Sequence, residues 1–159
     1  MDTSSVVSGV RVPEKATILL VEDDDAAAHL IVTNLRRANT FANILRARHG
    51  QEALDILSQG QADGRLAPCE RLLMLLDINM PTMNGLDLLR AMKATPALKR
   101  IPVVMLTTSD DPVEIEKSYE LGCNFFVTKP VDYAKFVNTI KNIALILQIF
   151  TIPLYGEPK

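Results

Sequence analysis

The sequence predicts an α/β fold in which helices flank a parallel sheet, and two patterns carry this prediction. Short apolar runs end abruptly at polar residues, and each run is followed by a segment in which apolar residues recur with the helical period. A strand buried on both faces is a continuous apolar run, and strands that alternate with helices form parallel sheets with right-handed crossovers. The chain of 159 residues is long enough for one such domain with its own core.

The predicted elements repeat the order strand, helix five times. The strands are predicted at Thr17–Val21, Phe41–Ala47, Leu72–Leu76, Pro102–Leu106 and Asn124–Val127. The helices are predicted at Ala26–Ala38, Gly50–Gln59, Leu86–Ala94, Pro112–Leu121 and Val131–Gln148. Asp111 and Pro112 are typical of a helix start and Gly122 of a helix end, so they frame the fourth helix. Five such units predict a doubly wound, flavodoxin-like domain with helices on both faces and the strand order 2-1-3-4-5.

Composition limits the classes of function. The formal net charge of −2 provides no basic field for nucleic acid. The chain has no long uncharged apolar run, and its start lacks the basic and apolar regions of a secretory signal. We therefore expect a cytoplasmic protein that neither binds nucleic acid nor spans a membrane. The expected organisation is a flexible arm over residues 1–14, a domain over residues 15–148 and a C-terminal extension over residues 149–159.

Polar side chains follow four of the predicted strands at the point where each strand ends. The carboxyl ends of parallel strands share one edge of the sheet, and ligands bind at that edge. Packed carboxylates repel one another unless a cation lies among them, and a site made of oxygen ligands suits Mg²⁺. The sequence therefore predicts a magnesium site that includes a lysine. Its members are Glu22, Asp23 and Asp24 after the first strand, Asp77 after the third, Thr107 and Thr108 after the fourth, and Lys129 after the fifth.

Each of these residues also has a purely structural explanation. Asp24 or Asp25 alone is better explained as a cap of the following helix, and Asp77 could be a turn residue before Pro81. Thr107 could be an ordinary hydroxyl at a strand end, and Lys129 a solvated lysine. The coincidence of acid, acid, hydroxyl and lysine at four strand ends favours a functional site over four unrelated structural roles.

The motifs around these residues resemble those of response-regulator receiver domains of the chemotaxis-regulator type. The resemblance covers about residues 17–147. At a finer level the chain is similar to stand-alone receivers that work with phytochrome-type histidine kinases, through residues 60–71, residues 100–108 and the extension containing Ile152-Pro153. The motifs are Val21-Glu22-Asp23-Asp24, Leu76-Asp77-Ile78-Asn79-Met80-Pro81 with Asn84-Gly85, Leu106-Thr107-Thr108 and Thr128-Lys129-Pro130.

The resemblance implies a role for each matching residue. Asp77 would accept a phosphoryl group from a kinase phosphohistidine, with Lys129 and Thr107 completing the reactive site. Asp23, Asp77 and the main-chain carbonyl of Asn79 would bind Mg²⁺, and Glu22 would act on the metal through water. The backbone of Thr108 and Asn79 would contact the phosphoryl group. Thr107 and Phe126 would form the switch, and the bond between Lys129 and Pro130 would be cis.

The C-terminal segment has more apolar residues than one helix face needs. Leu145, Ile146, Ile149 and Phe150 have no expected partner within a small domain. Because an exposed apolar patch usually marks an interface, we expect a homodimer through the fifth helix and the extension. The alternative is an extension that folds back on its own domain.

Three other classes of function compete with the receiver interpretation. A phosphatase of the haloacid dehalogenase type needs a second acid where Asn79 stands and a hydroxyl where Pro81 stands. No nucleotide-binding glycine motif follows any strand. A degenerate receiver that acts as a constitutive binding or dimerisation module remains the main alternative. We expect no enzymatic activity other than self-catalysed phosphorylation and dephosphorylation. We expect the phosphorylated protein to act through protein contacts or by passing the phosphoryl group to a histidine phosphotransfer partner.

Overall fold

The computed structural model describes residues 6–7, 10–11, 16–38, 41–66 and 70–155. Its main sheet has five parallel strands, and the hydrogen-bonded order is β2-β1-β3-β4-β5, which confirms the predicted fold class. The strands are β1 (Ala16–Val21), β2 (Phe41–Ala47), β3 (Glu70–Leu76), β4 (Val103–Thr107) and β5 (Phe125–Thr128). The helices are α1 (Asp25–Ala38), α2 (Gly50–Gln59), α3 (Gly85–Ala94), α4 (Pro112–Glu120) and α5 (Tyr133–Leu147).

The sheet is covered by helices on both faces, which explains why its central strands are continuous apolar runs. All six residues of β1 are buried. Successive side chains point to opposite faces, so Ile18 and Leu20 pack with α1 and α5. Leu19 and Val21 pack on the other face with α2 and α3. The sheet lies between these two cores, and the carboxyl ends of its parallel strands lie together at one edge that faces solvent.

Side-chain caps determine where the helices begin. The Asp24 carboxylate accepts from the Ala27 amide at 2.8 Å, which matches the capping role considered for Asp24. Asp111 accepts from Val113 at 3.0 Å and Pro112 begins α4, as expected from the sequence. Gly122 follows α4 with a φ of +101°, a left-handed conformation that glycine adopts without strain. The fifth helix begins at Tyr133 rather than Val131, because Asp132 caps it.

The predicted N-terminal arm is described only at two places. Val6–Val7 and Val10–Arg11 pair as a short antiparallel ladder. The remainder of the arm lies outside the described residues.

The C-terminal extension folds back on its own domain over residues 152–155. Ile152 is buried in the α1/α5 core. The strand β6 (Leu154–Tyr155) pairs antiparallel with Glu70 and Arg71 at the amino end of β3. Arg71 Nη1 donates to the carbonyl of Ile152 at 2.6 Å, and the Tyr155 hydroxyl donates to the carbonyl of Leu57 at the end of α2. This segment follows the folded-back alternative, while the expectation that residues 149–159 take part in an interface stays a prediction.

The four apolar residues singled out at the end of α5 are nevertheless exposed. The exposed fractions are 61% for Leu145, 49% for Ile146, 79% for Ile149 and 45% for Phe150. Within the described part of the chain, no helix is long and apolar enough to cross a membrane.

Candidate functional site

Three acidic side chains meet at the carboxyl edge of the sheet. Val21 at the end of β1 pairs with Leu76 at the end of β3, and the Asp77 amide donates to the carbonyl of Val21 at 3.1 Å. This register places Asp77 beside the β1–α1 loop. Carboxylate oxygens of Glu22, Asp23 and Asp77 lie within 4.8 Å of one another. Glu22 and Asp77 are 1% and 6% exposed, whereas Asp23 faces solvent.

Lys129 reaches this acidic cluster from the end of β5. Its backbone amide donates to the carbonyl of Thr107 at 2.6 Å, which ties the strand ends of β4 and β5 together. Its Nζ forms an ion pair with Glu22 Oε1 and lies 3.7 Å from Asp77 Oδ2. The side chain of Lys129 is 9% exposed. The bond between Lys129 and Pro130 is trans, so the prediction of a cis bond is wrong in this structure.

The cluster is chemically suited to a hard divalent cation. Three carboxylates against one ammonium leave a formal charge of −3 + 1 = −2. Glu22 Oε2 is buried and accepts no hydrogen bond from the described residues. The pKa of Glu22 is raised to about 7, first by burial and then by the neighbouring Asp77 carboxylate, while Lys129 lowers it. Oxygen donors with excess negative charge are the ligands that Mg²⁺ prefers, so these residues fit the ion.

Asn79 and Thr107 lie beside Asp77. The backbone nitrogen of Asn79 lies 3.4 Å from Asp77 Oδ1. The side-chain Nδ2 of Asn79 lies 3.5 Å from the hydroxyl oxygens of Thr107 and Thr108. Thr107 is fully buried, and its hydroxyl accepts from the Ser109 amide at 3.4 Å. The side chain of Asn79 therefore spans the space between the third and fourth strand ends. The metal-binding role of the Asn79 carbonyl and the water-mediated role of Glu22 stay predictions.

Gly85 allows α3 to approach the backbone of Asp77. A Cβ atom at this position would lie 2.2 Å from the carbonyl oxygen of Asp77 and 2.8 Å from Cα of Ile78. Neither atom can move without displacing the backbone that carries Asp77. The sequence contained Gly85 within a recognised motif, but its physical role is visible only in the structure.

Two aromatic residues of β5 make contacts near the predicted switch, one with α4 and one with the residues that follow α5. Phe126 is half-buried against the α2/α3 core, and its amide donates to the Tyr119 hydroxyl of α4 at 3.1 Å. Its neighbour Phe125 is exposed, with its ring centroid 5.8 Å from that of Phe150. This contact joins the edge strand to the apolar end of α5.

Sequence reasoning missed Arg46 on β2. Its guanidinium donates to the main-chain carbonyls of Glu22 and Asp23 and pairs with Asp25. No sequence signal links an arginine in a strand to a loop more than twenty residues away. Only the pairing of β1 with β2 brings them together.

Comparison with known proteins agrees with the fold and the acidic cluster. The family model of the response regulator receiver domain matches residues 18–141 of this chain. The response regulator Rcp1 of Synechocystis sp. is 35% identical over 137 residues, which cover 86% of this chain and 92% of Rcp1. A crystal structure of the Mn²⁺-bound form of response regulator Rcp1 superposes with a TM-score of 0.76 at 34% identity, covering 87% of this chain and 99% of that one.

Two further crystal structures are similar along nearly their whole length. A response regulator receiver domain from Rhodospirillum rubrum has a TM-score of 0.80 and 39% identity, and the match covers 89% of this chain and 100% of that one. The phosphorylated cyanobacterial phytochrome response regulator RcpA has a TM-score of 0.76 and 34% identity, covering 89% of this chain and 99% of RcpA.

The chain belongs to the response regulator receiver family of two-component systems. Its relatives include chemotaxis regulators and response regulators of phytochromes. Receiver domains interact with histidine kinases and bind Mg²⁺ at an acidic pocket, and the cluster of Glu22, Asp23 and Asp77 is consistent with such a pocket.

Proposed function

We propose that this protein is a phosphorylation switch in which Asp77 accepts a phosphoryl group from a histidine kinase. The observation that carries the proposal is the meeting of Glu22, Asp23 and Asp77 within 4.8 Å, with Lys129 Nζ 3.7 Å from Asp77. Asp23 and Asp77, with the main-chain carbonyl of Asn79, would hold Mg²⁺. The similarity to RcpA supports a kinase of the phytochrome type, and a histidine phosphotransfer protein is a second partner on the same chemical grounds.

The proposed reaction is an in-line displacement at phosphorus. A carboxylate oxygen of Asp77 forms the new P–O bond while the P–N bond of the kinase phosphohistidine breaks, and the released imidazole nitrogen takes a proton from water. Lys129 lies where it can balance charge on the phosphoryl oxygens. When bound, Mg²⁺ neutralises phosphoryl oxygens and orients them. Attack of water on the aspartyl phosphate releases inorganic phosphate and restores the carboxylate. These two self-catalysed steps are the whole of the proposed chemistry.

Phosphorylation would reach the surface through Thr107 and Phe126. A phosphoryl group brings about two negative charges and strong acceptor oxygens, which can draw the Thr107 hydroxyl away from Asn79. Thr107 pairs with Thr128, two residues from Phe126 on β5, so its movement would alter the packing around Phe126 and the contact between Phe126 and Tyr119. A preference of a few kcal/mol for the altered packing is enough to shift the population.

The main test is the intact mass of the protein after incubation with phosphoramidate and Mg²⁺. We expect one phosphoryl adduct that is lost when Mg²⁺ is removed with EDTA. The Asp77→Asn variant should form no adduct. An equal adduct in Asp77→Asn would assign the acceptor to another residue, and the absence of any adduct on the native chain would leave a constitutive binding module as the better explanation.

The apolar surface at the end of α5 supports a homodimer. It consists of Leu145, Ile146, Ile149 and Phe150, and the contact between Phe150 and Phe125 extends it to the edge strand β5. Ile149 and Phe150 come just after α5, and the Ile149 amide donates to the carbonyl of Ile146 at 3.1 Å, so the four exposed residues are close together at the end of the helix. A second copy of the chain offers the same patch across a twofold axis.

Light scattering during size exclusion tests this dimer. Ile149→Glu should lower the association constant strongly, because it places a charge in a buried apolar contact. Asn142→Glu is the matched control, because Asn142 is an exposed, uncharged residue of α5 outside the apolar patch and the change adds the same single charge. A native chain that stays monomeric at high concentration would disprove the dimer, as would equal association of native and Ile149→Glu proteins.

A further inference from the structure

We infer that Arg46 is a positioning residue for the proposed magnesium site, an inference that rests on the proposed function. Arg46 lies next to the last residue of β2, where it pairs with Leu20 of β1. From there its side chain extends past the end of β1 to the loop that carries Glu22 and Asp23. The side chain as a whole is 22% exposed, so most of it is shielded from water.

The guanidinium contacts the loop through three nitrogen atoms. Nε and Nη2 donate to the carbonyl of Glu22 at 3.1 and 2.9 Å, and Nη2 also lies 3.3 Å from the carbonyl of Asp23. Nη1 donates to Asp25 Oδ1 at 2.7 Å. A planar guanidinium holds its donors in a fixed fork, which allows it to fix several acceptors relative to one another.

These contacts fix the two peptide groups that follow the proposed ligands. The carbonyl of Glu22 belongs to the peptide that joins Glu22 to Asp23, and the carbonyl of Asp23 belongs to the next one. Rotation of either peptide would turn the Asp23 side chain relative to Asp77. Because Asp23 is exposed and its loop leaves the sheet at this point, packing alone restrains it less than it restrains buried Asp77. Arg46 therefore supplies a restraint that the core does not.

Electrostatics and positioning make opposite predictions for this residue. Removing a positive charge near a cluster of carboxylates should strengthen cation binding. Removing a group that orients the ligands should weaken it, and loss of an outer partner of a metal ligand typically lowers affinity about 10- to 100-fold. The direction of the change therefore distinguishes the two roles without reference to its size.

The chain contains a matched control for charge in Arg48. Its Nη1 donates to the same oxygen of Asp25 at 2.6 Å, and its side chain is 60% exposed. Among the contacts described for the Arg48 side chain, none reaches the carbonyl of Glu22 or Asp23. Arg48→Gln thus removes the same charge from the same neighbourhood and leaves the restraint on the loop.

Calorimetric titration of the full chain with Mg²⁺ tests the inference. We expect the dissociation constant to rise about 10-fold in Arg46→Gln, to rise less in Arg46→Lys, and to stay equal or fall slightly in Arg48→Gln. Phosphorylation of Arg46→Gln by phosphoramidate should be slow at low Mg²⁺ and approach the native rate at saturating Mg²⁺. A purely structural role would lower the unfolding temperature in EDTA without this dependence on metal concentration.

The possible failures can be separated. Native protein that binds no Mg²⁺, or binds it equally well as Asp23→Asn, would disprove the proposed site and with it this inference. Native binding that is lost in Asp23→Asn but unchanged or tighter in Arg46→Gln would leave the site intact and overturn the role of Arg46. If Arg46→Gln is not folded by circular dichroism, Arg46→Lys carries the test, and native-like affinity in that variant would overturn the inference.

Discussion

The two edges of the sheet are built in opposite ways. At the carboxyl edge, three carboxylates share one buried lysine, and Glu22 Oε2 has no hydrogen bond from the described residues. At the amino edge, the C-terminal segment adds strand β6, buries Ile152 and joins Tyr155 to the end of α2. The acidic cluster at the carboxyl edge lowers stability and leaves polar groups that can bind a cation or a phosphoryl group. The packing at the amino edge raises stability and involves no reactive groups. The comparison indicates that function and stability are separated along the strand direction.

The largest effect should come from Gly85→Ala at the carboxyl edge. The added Cβ would lie 2.2 Å from the Asp77 carbonyl oxygen, so the backbone must shift. We expect a loss of about 3 kcal/mol in the free energy of unfolding, at the upper end for overpacking. Phosphorylation should slow as well, because the shift moves Asp77. Urea unfolding and the adduct rate with phosphoramidate measure the two effects.

Gly64→Ala is the control for glycine replacement itself. Gly64 has a φ of +84°, but a Cβ there meets nothing within 4 Å. It should lose about 1 kcal/mol through backbone strain and keep the native phosphorylation rate. If Gly85→Ala matched Gly64→Ala in both stability and phosphorylation rate, the close approach of α3 to the Asp77 backbone would be shown to affect neither.

A smaller effect, restricted to stability, is expected for Ile152→Ala at the amino edge. Ile152 is buried, so its truncation should lower the free energy of unfolding by about 2 kcal/mol. The phosphorylation rate should not change, because the residue lies at the opposite edge from Asp77. Leu154→Ala serves as a control with an exposed side chain on the same segment. Equal stability of the two variants would show that the extension does not pack in solution as it does here, and slowed phosphorylation would show that the edges are coupled.

The smallest effect should be a gain in stability from Asp77→Asn. Without a cation, this change removes one of three carboxylates that face a single lysine. We expect unfolding in urea with EDTA to show a gain of about 1 kcal/mol, the order of the repulsion between two charges about 4 Å apart in water. Addition of Mg²⁺ should reverse the order, since only the native chain retains the full ligand set. A loss of stability in EDTA would contradict the view that this edge is destabilised by its own charges.

Much of the fold was predictable because its signals are local. The apolar runs ending at Val21 and Leu76 located β1 and β3, and the topology of a parallel sheet then brought Glu22 and Asp77 together. The caps at Asp111 and Gly122 defined α4 from adjacent residues alone.

The parts that could not be predicted depend on contacts between distant residues. The strand β3 begins at Glu70 rather than Leu72 because its first two residues pair with β6, and a two-residue strand leaves no periodic pattern. The link from Arg46 to the β1–α1 loop likewise exists only after β1 and β2 have paired. The exposed patch at the end of α5 was predictable from an excess of apolar residues, whereas the folding back of the extension was only the alternative, because it depends on pairing with distant β3.

Asp77, one of three neighbouring carboxylates, is the proposed phosphoryl acceptor. Reduction of the phosphorylated protein with borohydride converts an aspartyl phosphate into homoserine, and tandem mass spectrometry then locates the modified residue. We expect homoserine at position 77 only after treatment with phosphoramidate and Mg²⁺. Homoserine at position 23 instead, or a phosphoryl adduct that yields no homoserine at position 77, would contradict the assignment of Asp77 as the acceptor.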